Sequence, residues 1–254
     1  LLVTAVMGRN AKDGDYFPLT VEYEERFYAA GKILGGQFTR REGRPSDEAI
    51  LSGRLVDRAI RPLFNHRIRR DIQVVVTILS YDEENDPDLI ALNAASAALS
   101  ISDIPWNGPV AGVKIAKING KLVVNPLLSE LATQDVKFET FVAGSRGKIN
   151  MIELSGEDAS EEEIIEAFNL AVSEIEKILD FQTSIVKEIG QKKVDMKFVE
   201  PPETLKKAVR DFLLGKLEKT IYVKDKPDRE NNIEKLKKDL ALHLGESGFS
   251  GPDL

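Results

Sequence analysis

The sequence predicts an α+β domain followed by a small all-helical domain. Strand-like and helix-like patterns alternate irregularly through the first three quarters of the chain, as expected where antiparallel strands and helices share one core. After Pro201-Pro202 the strand-like patterns end and two amphipathic helical patterns follow. We therefore place the first domain at residues 1–190 and the helical domain at residues 191–254.

The strands of the first domain are predicted from alternation and from turn residues. Apolar and polar residues alternate from Phe17 to Tyr23, and residues 72–80 are rich in β-branched side chains, which favour strands. Asn119-Gly120 is typical of a type I′ turn, and the sequence Gly-Ser-Arg-Gly-Lys at 144–148 joins two further strand-like runs. These turns predict one hairpin over 110–124 and another over 136–154.

The first long helix is predicted from its cap and its periodicity. Ser46 precedes a periodic run that reaches about Leu63, and a serine in this position caps a helix by accepting a backbone hydrogen bond. The helical period places six apolar residues on one face and three arginines on an adjacent arc of roughly 60°. The apolar residues are Leu51, Leu55, Val56, Ala59, Ile60 and Leu63, and the arginines are Arg54, Arg58 and Arg61.

Four more helices follow from similar signals. Residues 89–99 are apolar or small all round and predict a buried helix. A capping box at Ser160 to Glu163 predicts the start of another. The helical domain should contain helices at 204–217 and 228–244, the second ended by Gly245. In the helix that begins at Ser160, the residues predicted to face inward are Ile164, Phe168, Val172, Ile175 and Leu179.

The composition excludes several classes of site. The chain has 254 residues, of which 42% are hydrophobic and 30% charged, as in a globular protein. It has no cysteine and only two histidines, which excludes disulfides, thiolate metal sites and a cysteine nucleophile. No apolar run reaches the roughly 18 residues that a membrane span needs, so we expect a soluble, cytoplasmic protein. Both ends look like cuts through a longer protein.

The charge is unevenly distributed along the chain. The net charge is −7, yet residues 40–70 hold nine arginines and no lysine against four acidic residues. Guanidinium groups pair bidentately with phosphate oxygens. An arginine cluster in an otherwise acidic chain therefore predicts an anion-binding surface, although arginines close to acidic residues can equally be held in internal ion pairs.

The sequence from Phe38 to Phe64 resembles the first core domain of the polynucleotide phosphorylase family. That family has a segment close to Phe-Phe-Arg-Arg-Glu-Gly-Arg-Pro-Ser before an arginine-rich helix that ends in Ile-Arg-Pro-Leu-Phe, and only Thr39 departs from the first stretch. Further similar segments occur in the same order, at residues 15–21, 28–31, 94–100 and 142–144. The resemblance implies an RNase PH-like fold for residues 1–190 and a helical linker domain after it.

The resemblance also implies a function. Members degrade single-stranded RNA from the 3′ end in mRNA turnover, using inorganic phosphate and releasing nucleoside diphosphates, with Mg²⁺ or Mn²⁺ as the metal. The expected partners are single-stranded RNA, a second RNase PH-type domain of the same protein, and two further copies in a homotrimer. The residues expected to contact RNA are Arg40, Arg41, Arg44, Arg54, Arg58 and Arg61.

The same resemblance predicts that this part of the protein is not the catalytic half. The catalytic half of the family binds phosphate in a Gly-Ser-Ser-Ser turn, whereas this chain has Asn85-Asp86-Pro87-Asp88 there. Two carboxylates repel phosphate, and proline removes one backbone donor. Glu139 keeps one carboxylate, but Phe141 stands where the family has a lysine. We therefore expect no catalytic residue, no phosphate site and no metal site on this chain.

Three functional interpretations remain open from the sequence. The first is a part of the phosphorolytic enzyme that supplies arginines and an assembly surface. The second is an RNA-binding and oligomerisation module with no chemistry of its own. The third, a phosphorolytic enzyme that acts alone, is disfavoured by the carboxylates at residues 85–88. Within each interpretation, Arg41, Arg44 and Arg54 could instead pair with Glu42, Asp47, Glu48 and Asp57.

Overall fold

A computed structural model describes residues 1–33, 43–196, 198 and 200–249 of the chain. The chain divides into two compact units, Leu1–Met196 and Lys197–Leu254. Within the described residues the first unit contains two β-sheets and four α-helices, and the second contains α-helices alone. The α+β class predicted for the first part of the chain is therefore confirmed.

The first sheet has three strands in the order β1-β3-β2. Strand β3 is the central one, pairing with β1 in the antiparallel sense and with β2 in the parallel sense. Helix α1 begins after Ser46 and packs against β2, and helix α2 packs against β1 and α1. The bounds are β1 (Leu2–Ala11), β2 (Leu19–Glu25), α1 (Asp47–Ile60), β3 (Arg70–Ile78) and α2 (Pro87–Ile101).

The second sheet has four antiparallel strands in the order β5-β4-β6-β7. Both predicted hairpins are present. Ile118 pairs with Lys121 across the first turn, where Asn119 and Gly120 have φ angles of 49° and 77°, the left-handed backbone that a type I′ turn requires. The bounds are β4 (Ala111–Ile118), β5 (Lys121–Val124), a short helix α3 (Leu128–Thr133), β6 (Val136–Ser145) and β7 (Lys148–Gly156).

Helix α4 (Glu161–Ile189) covers the second sheet and closes the core. It begins at the predicted capping box, with the Ser160 hydroxyl accepting from the Glu163 N–H and the Glu163 carboxylate accepting from the Ser160 N–H. Ile175 and Leu179 are buried as predicted, and the partly buried Phe168 packs against the same core. Ala167 and Ala171 are buried as well, whereas Ile164 and Val172 are only partly buried. Small residues line the contact because helix and sheet approach each other closely there.

One apolar residue predicted on the inner face of α1 lies outside it. Leu51 is 63% exposed, whereas Ala49 and Gly53 are buried in addition to Leu55, Val56 and the last turn. The buried arc of the helix is thus rotated towards its smallest residues. Gly53 lies against the backbone of β2, where a methyl group would contact the Val21 carbonyl at 3.5 Å.

The two units divide six residues after the predicted boundary because residues 191–194 are attached to the end of α2. The Gln191 N–H donates to the Ile101 carbonyl at 2.9 Å, and the Val194 N–H donates to the Asp103 carbonyl at 2.8 Å. The Lys193 ammonium donates to the carbonyls of Leu99 and Ser102, each at 2.7 Å. A cation is favourable at this end of a helix, where carbonyl groups lack internal partners.

The second unit contains both predicted helices and a short one between them, with bounds α5 (Glu203–Leu213), α6 (Leu217–Ile221) and α7 (Lys226–Glu246). The Phe212 ring stacks on His243 with centroids 4.8 Å apart, which joins α5 to α7. Leu205 and Leu244 are buried in this unit. In the part of the chain that the structure describes, no helix is long and apolar enough to cross a membrane.

Candidate nucleic-acid interface

The arginines predicted to contact RNA belong to α1 and the segment before it. Helix α1 begins because the Ser46 hydroxyl accepts from the Ala49 N–H at 3.0 Å, and because Asp47 and Glu48 place negative charge in the first turn. Its buried face packs inward, so Arg54 and Arg58 face outward from the first unit. The sequence therefore orients Arg54 and Arg58 before any long-range contact is considered.

Of the four arginines in this set that the structure describes, two are exposed and make no ion pair with another described residue. Arg44 and Arg54 are exposed, and neither forms a hydrogen bond or an ion pair with any residue that the structure describes. Asp57, which could have paired with Arg54, is engaged elsewhere. Arg40 and Arg41 lie outside the described residues. The guanidinium groups of Arg44 and Arg54 are thus accessible to an anion from solvent.

Arg61 is held inside the fold by a carboxylate and two carbonyl groups. Its Nε and Nη2 donate to the two oxygens of Asp57 at 2.8 and 2.7 Å. Nη2 also donates to the Leu19 carbonyl at 3.0 Å, and Nη1 reaches the Phe17 carbonyl at 3.5 Å. The guanidinium carbon lies 5.7 Å from the centre of the Phe17 ring. These contacts attach the end of α1 to the start of β2.

Arg58 takes a third arrangement, an ion pair between α1 and the second sheet. Its Nη1 pairs with the Glu153 carboxylate of β7. Both side chains stay about half exposed, at 55% and 46%, and exposed pairs of this kind stabilise a fold by about 0–1 kcal/mol. A phosphate group could therefore compete with Glu153 for Arg58 at small cost.

The N-terminus of α2 carries carboxylates and an ammonium group where a phosphate turn would lie. The Asp86 side chain caps the helix by accepting from the Asp88 N–H at 3.0 Å. The other Asp86 oxygen accepts from the Lys114 ammonium at 2.6 Å, and Glu139 lies 3.8 Å from the same ammonium. Phe141 pairs with Lys114 across β4 and β6, so its ring stands beside this cluster.

The pKa shifts of these groups follow from burial and from their neighbours. Burial raises the pKa of Asp88, and the hydrogen bond that Ser52 donates to it at 2.9 Å opposes this only in part. Burial alone would lower the pKa of Lys114, but its hydrogen bond to Asp86 and the charges of Asp86 and Glu139 raise that pKa overall. Lys114 is therefore a fixed positive charge that offsets the carboxylates.

The clefts beside these residues do not suit a phosphate group. A cleft of about 730 Å³ beside Arg44 is also lined by the basic residues Arg26 and Lys32, and by four carboxylates, those of Glu24, Glu25, Asp86 and Asp88. A second cleft of about 360 Å³ holds the Lys114 cluster and Glu153. Carboxylates outnumber basic groups in the second cleft and repel anions. The candidate nucleic-acid interface is therefore the outward face of α1 with Arg44, where Arg54 and Arg61 also line a cleft of about 440 Å³.

Sequence reasoning missed Lys114, although one signal for it existed. Strand β4 is buried along most of its length, and a lysine within such a strand must find a carboxylate or reach solvent. Its partners are Asp86, which caps α2, and Glu139 of β6, and they lie 28 and 25 residues from Lys114 in the sequence. These partners could not be identified from the sequence, because a local pattern does not show which strands pair with each other.

Comparisons with protein families match most of the first unit. A family model described as 3′ exoribonuclease family, domain 1, matches residues 1–105. A model for domain 2 of the same family matches residues 108–174. The first match contains the three-stranded sheet, helices α1 and α2, and the described arginines. The second match contains the four-stranded sheet.

Individual relatives match almost the whole chain. It is 42% identical over 246 residues to a polyribonucleotide nucleotidyltransferase of Bacillus cytotoxicus, covering 97% of this chain and 34% of that protein. It is 43% identical over 236 residues to the protein of the same name from Exiguobacterium sibiricum, covering 93% of this chain and 32% of that one. The chain thus spans about a third of the length of these relatives.

Proposed function

Since the chain belongs to the 3′ exoribonuclease family, we propose that it is part of a phosphate-dependent 3′-to-5′ exoribonuclease acting on single-stranded RNA. In this reaction an oxygen of inorganic phosphate attacks the phosphorus of the last internucleotide bond. The bond from phosphorus to the 3′ oxygen of the preceding nucleotide breaks, and that oxygen takes up a proton. The products are a nucleoside 5′-diphosphate and an RNA one nucleotide shorter.

The part that this chain plays is to hold RNA by its phosphates. The single observation that carries this proposal is that Arg44 and Arg54 are exposed and unpaired among the described residues. Phosphate contacts position a strand without reading its bases, so one arginine surface can serve every RNA sequence. We include Arg40, Arg41, Arg58 and Arg61 in the proposed surface as the sequence predicts, although Arg61 has most of its donors engaged.

The chemistry of the reaction is proposed to lie in the remainder of the protein. A divalent metal such as Mg²⁺ or Mn²⁺ would stabilise the charge that develops at phosphorus. The residues of this chain do not fit that role, because among the described ones no three carboxylates or histidines are placed to hold a metal ion. The ammonium of Lys114 already lies between Asp86 and Glu139. We therefore propose that the metal is bound by other residues of the full-length protein.

Assembly completes the proposal. The relatives are about three times as long as this chain, which leaves room for a second RNase PH-type domain that carries the phosphate turn. We propose that this domain pairs with the first unit, that three copies form a ring, and that the protein works in the cytoplasm. A non-catalytic RNA-binding and assembly module is the second candidate, favoured by the carboxylates at the start of α2.

The proposal is tested by replacing Arg44 and Arg54 with glutamine, singly and together, in the full-length protein. We expect weaker binding of oligo(A) and oligo(U) by similar factors, and a salt dependence reduced by roughly 0.7 per lost phosphate contact. Fluorescence anisotropy at several salt concentrations measures both quantities. Lys121→Gln is the matched control, because Lys121 is exposed but is the first residue of β5, in the other sheet.

The outcomes separate the candidates. Loss of affinity together with release of nucleoside diphosphates by the wild-type protein supports the enzyme. RNA binding without phosphate-dependent release in the full-length protein supports the binding module instead. If the arginine variants bind RNA with the affinity and salt dependence of the Lys121→Gln control, Arg44 and Arg54 do not contact RNA.

A further inference from the structure

The second unit displays an aromatic ring in solvent. Tyr222, which follows the last residue of α6, is 84% exposed. Leaving a ring of this size in water forgoes about 25 cal/mol for each Å² of apolar surface that burial would remove from solvent. The exposed ring therefore indicates a surface that contacts a partner, since tyrosine is enriched where one end of the side chain is buried and the other stays in water.

The backbone that carries Tyr222 is fixed by hydrogen bonds. The Tyr222 N–H donates to the Glu218 carbonyl at 3.0 Å and completes α6. One residue later, the Val223 carbonyl accepts from Arg229 Nη1 at 3.0 Å. The Asp225 carboxylate then caps α7 by accepting from the Asp228 N–H at 3.1 Å. Residues 222–225 are thus held at both ends, so Tyr222 is presented in a defined position.

Lysines lie on both sides of Tyr222 in the sequence, interspersed with the acidic residues Glu218 and Asp225. Lys219 lies three residues before Tyr222, on the same side of the helical turn, and Lys224 lies two residues after it. Both are exposed, and neither makes an ion pair with a residue in the described part of the chain. Lys226 is 3.8 Å from Glu230 in a pair that is exposed on both sides. The Lys216 ammonium lies 3.5 Å from the centre of the Phe212 ring.

We propose that this α6–α7 turn is a second contact for single-stranded RNA, in which one base stacks on Tyr222 and neighbouring phosphates pair with Lys219 and Lys224. Exposed aromatic rings flanked by basic side chains bind single strands without sequence preference, since every base has a stacking face. The choice of RNA as the ligand rests on the proposed function. The contact itself rests on the geometry of the second unit and does not involve the α1 arginines.

A protein partner fits the same surface less well. Leu217 and Ile221 of α6 are 42% and 43% exposed and would suit an apolar contact. Lysine, however, is depleted in protein–protein interfaces, and unpaired lysines stand on either side of Tyr222. Burying them against a protein would require carboxylates from that partner, whereas RNA supplies one negative charge for every nucleotide.

The first test compares ring and charge variants of the full-length protein by anisotropy with labelled oligo(U) and oligo(A). Tyr222→Ala should weaken binding roughly ten-fold through the lost stack, with the salt slope unchanged. Tyr222→Phe should stay within about two-fold of wild type because the ring remains. Lys219→Gln with Lys224→Gln should lower the salt slope by roughly 1.4, at about 0.7 for each lost contact.

Lys237→Gln is the matched control, because Lys237 is an exposed lysine of α7 already paired with Glu234 at 2.8 Å. It should leave the salt slope within about 0.3 of wild type, since it removes no phosphate contact. Equal losses in Tyr222→Ala and Tyr222→Phe would overturn the stacking proposal. So would a Tyr222→Ala variant with wild-type affinity.

The second test asks what covers the ring. In a Tyr222→Trp variant the added indole should be open to acrylamide quenching in the free protein and shielded after oligo(U) is added, against the background of Trp106, which is 8% exposed. An indole that is shielded before RNA is added would mean that protein covers this surface, and would overturn the proposal. If wild type binds RNA and responds to Arg44 and Arg54 but not to Tyr222, only this inference fails. If wild type binds no RNA, the proposed function fails with it.

Discussion

Arg54, Arg58 and Arg61, on α1 and at its C-terminal cap, differ because the fold brings different neighbours to each of them. Arg54 pairs with no carboxylate among the described residues. Arg58 forms an ion pair with Glu153 of the second sheet, and Arg61 forms one with Asp57, four residues earlier. Helical spacing alone predicts the Arg61 pair. We therefore expect a guanidinium without a partner to serve the proposed RNA contact, and a guanidinium held by several partners to stabilise the fold.

Arg61→Lys should lower the stability of the chain even though the charge is kept. A lysine cannot donate to both Asp57 oxygens and the Leu19 carbonyl at once. We expect the free energy of unfolding to fall by about 1 to 2 kcal/mol, the size of one or two partly exposed hydrogen bonds. Urea unfolding of the chain measures this change.

Arg54→Lys is the matched control for that experiment, because Arg54 lies on the same helix with no partner among the described residues. Its effect should stay below about 0.5 kcal/mol, as for most surface substitutions. If the two variants unfold at the same urea concentration, the Arg61 contacts do not attach α1 to β2.

Among the secondary-structure elements, α4 has its start fixed by one carboxylate, which accepts hydrogen bonds from three donors. Glu163 accepts from Lys117 at 2.8 Å, from Lys137 at 2.8 Å and from the Ser160 N–H at 2.9 Å. The hydrogen bonds from Lys117 and Lys137, in that order, followed by the one from Ser160, lower the pKa of Glu163 to about 2. The cap of the helix is thereby tied to strands β4 and β6.

This lowered pKa predicts acid sensitivity with a defined sign. The carboxylate binds protons more weakly in the folded chain than in the unfolded one, so its contribution to stability is complete above the ordinary pKa of 4.5. The contribution is lost as the pH falls from about 4.5 towards about 2. Glu163→Gln should therefore lose less stability than wild type between pH 5 and pH 3 in urea unfolding monitored by circular dichroism.

Glu161→Gln provides the comparison, because Glu161 lies in the same first turn and is exposed. It should keep the acid sensitivity of the wild-type chain. A Glu163→Gln variant whose stability falls with pH as steeply as that of wild type would show that other carboxylates govern the acid limb.

In the whole molecule, the two units differ in how many apolar side chains each of them buries. The first has a core built from both sheets, α2 and α4. The second buries few large side chains and exposes Leu214 and Leu242. Small units of this kind rarely gain enough from burial to be stable alone, which is one reason to expect further contacts in the complete protein.

The chain by itself should not degrade RNA with phosphate. The carboxylates of Asp86 and Asp88 stand at the start of α2, and Phe141 lies beside Lys114. Neither arrangement offers the donors that an attacking phosphate requires. Incubation of the chain with oligo(A), inorganic phosphate and Mg²⁺ should release no nucleoside diphosphate above a heat-treated control, whereas the full-length protein should release it. Diphosphate production by the chain alone would place a phosphate site here.

The sequence by itself determined the features that depend on neighbouring residues. Helix caps at Ser46 and Ser160 and the turn at Asn119-Gly120 involve atoms within a few residues of each other, so local rules predict them. The family resemblance likewise rests on short ordered motifs. These signals gave the α+β class and placed the described arginines on the outward side of α1.

The tertiary structure decided which charges are neutralised. Lys114 meets Asp86 and Glu139 only because β4 pairs with β6 and lies against α2. Arg58 meets Glu153 because α1 approaches β7. The burial of Ala167 and Ala171 depends on how closely α4 approaches its sheet. Such contacts join residues far apart in sequence, and their energies depend on distance and burial, quantities that no local pattern contains.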